Sequence, residues 1–212
     1  MARTDKWEPM PRPGPVVDPV WHARADRLLA RLLPLGCGQT APRAGQRFPD
    51  LVLPDWQGRL TQLSELCRDG PIVLSFHRGL WCPWCRDELA SWQAARAVLR
   101  EAGCRLVAVT PETGGRAAAM AHMTGPEAHV LCDVDFGASA ALGLAFFLGV
   151  DLVREFGEAG LDLVAHYGAA SGILPVPATF VIEVGLRVRF AHVDADFRRR
   201  ADPAAVLASL RS

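Results

Sequence analysis

Residues 71–92 read PIVLSFHRGLWCPWCRDELASW, and this stretch decides the fold class. Residues 72–76 are apolar except for Ser75, which is typical of a strand buried on both faces. From Pro83 onward, apolar residues recur at helical spacing and predict a helix over 83–102. These are Leu89, Trp92, Ala95 and Leu99. The stretch therefore predicts a buried strand, a turn and an amphipathic helix.

The same alternation continues along the chain. Apolar runs predict strands at 104–110 and 128–133, and a strand pair at 178–183 and 187–193 joined near Gly185. Helical spacing predicts helices at 113–124, at 137–160 with breaks at Gly143, Gly149 and Gly157, and at 203–211. Alternating strands and helices followed by an antiparallel pair indicate an α/β sandwich with a central mixed sheet flanked by helices.

The N-terminal part of the chain has a different pattern. Residues 1–19 are rich in proline and polar groups, and 18–34 carry apolar residues at helical spacing, with Asp18 in position to cap that helix. We expect residues 1–41 to form an arm and a helix, and 42–212 to form the main domain. The apolar stripe of the helix must pack on the main domain or on a second subunit, so a homodimer is one expectation.

Composition excludes several classes of protein. The 212 residues contain 23 Lys and Arg against 23 Asp and Glu, so the formal net charge is zero. That balance gives no electrostatic reason to expect nucleic acid or an anionic membrane as a partner. The N-terminus lacks the apolar run that a secretory signal contains. The apolar segment 138–150 is too short to span a bilayer. We therefore expect a cytoplasmic location.

Two of the six cysteines form a local pair, Cys82 and Cys85. The other four are isolated and fit small buried residues: Cys37, Cys67, Cys104 and Cys132. Covalent haem would need histidine where Arg86 stands, and a structural zinc site would need a second ligand pair, so we expect no cofactor and no metal. A dithiol fits best, because the start of a helix favours a thiolate and Arg78 adds positive charge.

Family motifs support this interpretation. WCPWC at 81–85, followed by LPVPATF at 174–180, resembles the thioredoxin superfamily, in which a cis-proline loop faces the CxxC motif, and Pro177 matches that position. The rest resembles the peroxiredoxin-like branch of the alkyl hydroperoxide reductase/thiol-specific antioxidant family. The matching segments are GQRFPDLVLPDWQGR (45–59), LSEL (63–66), FHRGLWCPWCRDEL (76–89), LVAVTPET (106–113), VPATFVIE (176–183) and FAHVDADFRRRADP (190–203). A thioredoxin-like fold is thus expected.

The two resemblances assign the sulfurs differently. The peroxiredoxin pattern P-x-x-x-T-x-x-C places Cys85 at the peroxidatic position, but it places Cys82 at the threonine and Arg78 at the proline. The thioredoxin pattern makes Cys82 the exposed attacking thiol and Cys85 the buried one. For disulfide exchange we favour Cys82 as the more accessible, and for peroxide reduction Cys85. Either order yields a Cys82–Cys85 disulfide that an external reductant must reopen.

Several neighbours are candidate supporting residues. Trp81 resembles the tryptophan that borders a thioredoxin site, and Trp84, between the cysteines, could affect substrate fit. Arg78 is next to the expected anionic sulfur. His77 ends an apolar strand, where a histidine is more often a hydrogen-bonded structural residue than a catalytic one. Two acidic residues at strand ends, Glu112 and Asp133, fit helix caps better than catalysis.

The arginines at 198–200 sit among aspartates and fit a solvated, self-neutralising turn. They are therefore not candidate site residues.

The resemblance implies a thiol-dependent antioxidant enzyme that reduces small hydroperoxides at the expense of thioredoxin or a similar dithiol. The alternatives are a protein disulfide reductase without peroxidase activity, and a redox-sensing binding module with little turnover.

Overall fold

The computed structural model describes residues 19–168 and 172–210. Its helices are α1 (Pro19–Leu32), α2 (Leu63–Leu66), α3 (Pro83–Glu101), α4 (Gly114–Thr124), α5 (Gly137–Ala141), α6 (Val150–Glu158), α7 (Leu163–Tyr167) and α8 (Pro203–Ser209), with a 3₁₀ turn at Val134–Phe136. Its strands are β1 (Val52–Pro54), β2 (Leu60–Gln62), β3 (Ile72–Phe76), β4 (Arg105–Thr110), β5 (His129–Cys132), β6 (Ala145–Phe147), β7 (Ile173–Pro175), β8 (Ala178–Ile182) and β9 (Val188–Val193).

The central sheet has five strands in the order β5-β4-β3-β8-β9. β3, β4 and β5 are parallel, while β8 is antiparallel to both β3 and β9. β3 is thus the middle strand, and all five of its residues are buried. The expected mixed sheet is confirmed, and the turn that follows β3 lies at the end of its central strand.

The two faces of β3 contact different parts of the core. Leu74 and Phe76 belong to the larger apolar cluster, which also contains residues of α1 and α6. Val73 packs on the other face with Trp92 of α3 and Val206 of α8. Because successive strand residues point to opposite faces, the apolar run 72–76 supplies both layers of the sandwich.

Helix α1 packs on the body of its own chain. Ala25, Leu28 and Leu32 are buried in the larger cluster, and the ring of Trp21 lies 5.2 Å from that of Phe156 in α6. Of the two surfaces considered for this helix, the chain's own core is the one observed. The segment 1–18, with the expected cap Asp18, lies outside the described residues, and the division into parts 1–41 and 42–212 stays a prediction.

The expected helix over 137–160 is partly wrong. Residues 145–147 form β6, which pairs antiparallel with β7, and the backbone N–H of Val176 donates to Leu144 O at 2.8 Å. As expected, Gly143 lies between α5 and β6, and Gly149 is the residue before α6. Gly157, however, lies inside α6. The periodicity of this segment did not reveal the strand, because its partner is almost thirty residues away.

The expected cis-proline is also wrong. The Val176–Pro177 bond is trans, and the described residues include no cis peptide. Only Val176 and Pro177 separate β7 from β8, and the trans isomer is the one that X–Pro bonds favour by about 0.5–1 kcal/mol. Pro177 is buried and precedes Ala178, which pairs with Phe76 at the end of β3.

Candidate active site

The two cysteines occupy the start of α3. Cys82 is the N-cap, with extended backbone (φ −82°, ψ 115°), and Pro83 is the first helical residue. The Cys82 carbonyl accepts hydrogen bonds from the N–H groups of Cys85 and Arg86, each at 3.1 Å. Both cysteines are free thiols and both are 0% exposed. The expectation that Cys82 is the more accessible sulfur is therefore wrong, because both cysteines are equally buried.

Cys85 is surrounded by hydrogen-bond donors. Its Sγ accepts from the backbone N–H of Arg78 at 3.3 Å and from Arg200 Nη2 at 3.3 Å. Burial acts to raise the pKa of this thiol, but hydrogen bonding from Cys82, the Arg200 charge and His77 together hold the pKa well below its usual range. Cys85 is therefore a stabilised thiolate.

Cys82 has the opposite electrostatics. Its Sγ accepts from Arg78 Nη2 at 3.0 Å. Even so, burial and the hydrogen bond that it shares with Cys85 raise its pKa well above the ordinary value. Two thiols this close cannot both ionise readily, so one proton stays on the pair. The environment places that proton on Cys82 and the negative charge on Cys85.

A buried carboxylate holds Arg200 in position. Glu88 Oε2 accepts from Arg200 Nη1 at 2.7 Å, and Glu88 Oε1 accepts from Thr179 Oγ1 at 3.0 Å and Ser75 Oγ at 3.1 Å. Glu88 is 1% exposed and the Arg200 side chain 9%. His77 Nδ1 lies 3.8 Å from Glu88 Oε2, outside hydrogen-bond distance. This network fixes a guanidinium against the Cys85 sulfur.

Arg200 corrects the sequence interpretation of the arginine run. Arg198 does pair with Asp196 and Asp26, and Arg199 is 72% exposed, as a solvated turn requires. Arg200 instead points inward to the active site. In the sequence the three arginines are equivalent, and only the direction of the chain before α8 distinguishes the third.

The segment between β3 and Cys82 is held by Tyr167 and by Glu112, which the sequence indicated only as a helix cap. The Tyr167 hydroxyl donates to Arg78 O and accepts from Trp81 Nε1. Glu112 Oε2 accepts from the N–H of Leu80 at 2.8 Å, and its other oxygen lies 3.0 Å from His166 Nδ1. Tyr167 and His166 belong to no motif, so nothing in the sequence distinguished them.

The two acids at strand ends have different roles. Asp133 accepts hydrogen bonds from the N–H groups of Ala138 and Ser139 at 2.7 and 3.0 Å. The N-cap residue of α5 is Phe136, so Asp133 satisfies the first N–H groups of that helix from a position before the cap. Glu112 is not a cap, because it binds the active-site turn. The backbone N–H of Glu112 donates to the Thr110 hydroxyl at 3.2 Å.

The aromatic neighbours lie over the site. The guanidinium carbon of Arg78 is 3.6 Å from the ring centre of Phe197 and 5.1 Å from that of Trp81. The ring of Trp84 packs edge-on against Phe197 at 5.3 Å. Trp81 and Trp84 are both partly exposed. The Phe197 and Trp81 rings therefore stack on the cation that contacts the Cys82 sulfur.

The isolated cysteines are poor nucleophiles. Burial raises the pKa of Cys67 and Cys132 to about 11 and that of Cys104 to about 12, and it also raises the pKa of the half-buried Cys37. In the part of the chain that the structure describes, no group of three His, Cys, Asp or Glu side chains is arranged to hold a metal ion. The reactive chemistry of the described residues is therefore concentrated at Cys82 and Cys85.

Solved structures share this architecture. The peroxidoxin BcpB of Mycobacterium tuberculosis superposes with a TM-score of 0.60 at 22% identity, over 80% of this chain and 96% of its own. Reduced Prx3 of Vibrio vulnificus in complex with H₂O₂ gives 0.63 at 19%, over 80% and 99%. The bacterioferritin comigratory protein of Xanthomonas campestris gives 0.56 at 17%, over 76% and 90%.

These likenesses establish the thioredoxin-like fold of peroxiredoxins. No curated protein matches the chain. Helices in residues 19–168 and 172–210 all fall short of the length and apolarity that crossing a membrane requires. The family model described as AhpC/TSA matches residues 44–191, which include the turn after β3, both cysteines and Glu88. The chain therefore belongs to the AhpC/TSA family of thiol-dependent peroxidases.

Proposed function

We propose that the protein reduces hydroperoxides by attack of Cys85, with Cys82 as the resolving thiol. The observation that carries this assignment is the set of donors on one sulfur: the Arg78 N–H, the Arg200 guanidinium and the Cys82 thiol all point at Cys85. A thiolate is the nucleophile in peroxide reduction, so the sulfur with the lowered pKa acts first.

The reaction proceeds in two steps. The Cys85 thiolate attacks the terminal peroxide oxygen, so that the S–O bond forms and the O–O bond breaks. The leaving alkoxide takes a proton from solvent and departs as an alcohol, and the sulfenic acid keeps the peroxide proton. Cys82 then attacks the sulfenic sulfur, and its proton leaves with the hydroxyl group as water. The product is the Cys82–Cys85 disulfide. Two electrons from an external thiol reductant restore the dithiol, and the family resemblance favours a thioredoxin-type protein in that role.

Arg200 and Arg78 have distinct tasks in this scheme. Arg200 stabilises the thiolate before the attack, and its cation faces the negative charge that develops on the departing oxygen. Arg78 touches both sulfurs, one through its backbone N–H and one through its side chain. It therefore keeps the two sulfurs in a fixed relation, which favours their joining in the second step.

The disulfide reductase alternative is weaker on this geometry. It requires Cys82 to attack an external disulfide, yet Cys82 is buried and its pKa is raised. A redox sensor would form the same disulfide but turn over little. A homodimer and a cytoplasmic location stay predictions; α1 no longer argues for a second subunit, because its apolar side is buried in its own chain.

Thiol titration after peroxide treatment tests the proposal. One equivalent of peroxide should consume two thiols and leave the Cys82–Cys85 bond, identified by mass spectrometry. Cys85→Ser should consume no peroxide. Cys82→Ser should leave a sulfenic acid that dimedone traps at Cys85, and Cys37→Ser, a thiol away from the site, should behave as the unaltered protein. Trapping at residue 82 in Cys85→Ser would reverse the assignment, and sustained turnover with a reductant would exclude the sensor.

A further inference from the structure

A cavity of about 420 Å³ lies beside the active site, between α1, α3, α6 and the turn before α8. Its walls are rich in aromatic rings, contributed by Trp21, Trp81, Trp84, Phe156 and Phe197. A volume of this order accommodates a small organic molecule. The aromatic walls indicate that part of such a ligand is apolar.

Among the described residues, the charged side chains that line the cavity are all positive. Three arginines line it, Arg24, Arg78 and Arg86, and none of the described lining residues is acidic. Arg78 is 2% exposed, and its Nε is buried without a hydrogen-bond partner among the described residues. A buried donor left unpaired is costly, and a ligand acceptor would relieve that cost if the Arg78 side chain turned toward the cavity. The cavity therefore suits an anionic group, such as a carboxylate, on an apolar body.

The position of the cavity relative to the sulfurs indicates the reaction step in which its ligand would take part. Arg78 lines the cavity, and its Nη2 atom lies 3.0 Å from Cys82 Sγ. Arg200, which contacts Cys85, is not among the lining residues. Neither sulfur is among the described lining residues, so the Arg78 guanidinium is the link between the cavity and Cys82, the resolving sulfur at which reduction of the disulfide would begin.

Much of the cavity comes from outside the family-matched segment. The family model covers residues 44–191, whereas Trp21 and Arg24 belong to α1 and Phe197 follows β9. Arg24 is itself held in place, with its guanidinium 5.0 Å from the Trp21 ring centre and 3.7 Å from Glu155. The packing of α1 on its own chain therefore builds a site that the family motifs do not describe.

We propose that this cavity binds a small-molecule thiol with an apolar body and a carboxylate, and that this thiol, in place of a protein reductant, reopens the Cys82–Cys85 disulfide. The inference rests on the proposed function, because it requires that disulfide. Its chemical class is an anionic aliphatic or aromatic thiol.

The exchange balances in two steps. The thiolate of the ligand attacks Cys82 Sγ, the Cys82–Cys85 bond breaks, and Cys85 leaves as a thiolate, which its lowered pKa makes the better leaving group. A second ligand thiol then attacks the ligand sulfur of the mixed disulfide. The ligand leaves as its own disulfide, Cys82 takes up a proton, and the two electrons of the ligand pair have restored the dithiol.

Access to Cys82 requires a movement of Arg78. The sulfur is 0% exposed and is not among the described lining residues, whereas Arg78 both lines the cavity and contacts the sulfur. A carboxylate in the cavity gives the guanidinium an alternative partner, including the Nε–H that lacks one. Binding of the anion and exposure of the sulfur are therefore coupled, and a neutral thiol lacks that effect.

Two dithiols that differ only in charge test the proposal. The Cys82–Cys85 disulfide is formed with diamide, the oxidant is removed, and the protein is mixed with dihydrolipoate or with its neutral amide, dihydrolipoamide. Protein thiols are then followed in time. We expect dihydrolipoate to react about tenfold faster, the factor for one charged hydrogen bond. Arg24→Gln combined with Arg86→Gln removes two of the three lining cations and should lower the ratio of the dihydrolipoate rate to the dihydrolipoamide rate. Arg68→Gln combined with Arg116→Gln, two exposed arginines that do not line the cavity, is the charge-matched control and should keep that ratio.

Equal rates for the two dithiols would overturn the proposal, as would a rate ratio in the Arg24 and Arg86 double variant that equals the ratio in the control. It would also be overturned if thioredoxin reduced the disulfide faster than dihydrolipoate and at the same rate in the double variant. Failure of diamide to form the disulfide would remove both the thiol site and the peroxidase cycle. Peroxide oxidation is measured separately, so a disulfide that forms with diamide but not with peroxide would refute the proposed function alone.

Discussion

Removal of the Arg200 cation is the sharpest test of how Cys85 is activated. Arg200 Nη2 lies 3.3 Å from the sulfur, and the side chain is almost fully buried. Arg200→Met keeps much of the side-chain volume and deletes the charge. We expect the pKa of Cys85 to rise, because one of the groups that counter its burial is gone.

The magnitude follows from the contact. A full charge at 3.3 Å in a medium of effective dielectric constant about 20 is worth roughly 5 kcal/mol, which is an upper limit. The guanidinium charge is shared with Glu88 at 2.7 Å, so a charged hydrogen bond of about 1.5–3 kcal/mol is the better guide. At about 1.36 kcal/mol per pH unit, the pKa should rise by about one to two units.

The assay is the pH dependence of the peroxide rate constant in single-turnover mixing. For a thiolate nucleophile the rate falls as the pH drops through the thiol pKa, so the midpoint of the profile should move to higher pH in Arg200→Met. Arg199→Met, one position earlier and exposed, is the matched control and should leave the midpoint unchanged. A midpoint that stays in place in Arg200→Met would refute the reasoning.

A second variant separates activation from folding. Arg200→Met alone leaves Glu88 charged, buried and unpaired, which costs about 3–5 kcal/mol of unfolding free energy. Adding Glu88→Gln removes that charge and keeps an acceptor for Thr179 and Ser75. The double variant should regain much of the stability in urea unfolding, while the raised midpoint persists. Recovery of the midpoint together with stability would show that Arg200 acts only on the fold.

Other substitutions test the turn after β3 and the two thiols. Gly79→Ala should destabilise by at least about 2 kcal/mol in urea unfolding, because φ is +132° and a Cβ would lie 2.7 Å from Glu112 Cδ, whereas Gly115→Ala, with open space in α4, should be neutral or stabilising; equal effects would refute the reason given. Tyr167→Phe should cost about 1–3 kcal/mol, since it removes the hydroxyl between the Arg78 carbonyl and the Trp81 indole; an unchanged unfolding midpoint would count against that role. Iodoacetamide at pH 7 should modify position 85 in Cys82→Ser far faster than position 82 in Cys85→Ser, because the Cys85 pKa is lowered and the Cys82 pKa raised; the reverse order would contradict the assignment of the thiolate.

Local signals were enough to predict most of the fold. The apolar run at 72–76 and the helical spacing after Pro83 gave β3 and α3 nearly to the residue, and the parallel strands and the pair at 178–193 followed from the same periodicities. Helix α1 was also predicted, but not the surface that it covers. The strand at 145–147 was missed, because a three-residue strand is defined by its partner and not by its own pattern.

The candidate site was likewise predicted only in part from the sequence. The sequence determined by itself that two cysteines share one helix start next to an arginine, since spacing along the chain is enough to place them together. It could not determine which sulfur ionises. That depends on burial and on Arg200, 115 residues from Cys85, which the packing of distant segments brings against Glu88 and the Cys85 sulfur. A pKa is a property of the surroundings of a group in space, so only the tertiary structure decided it.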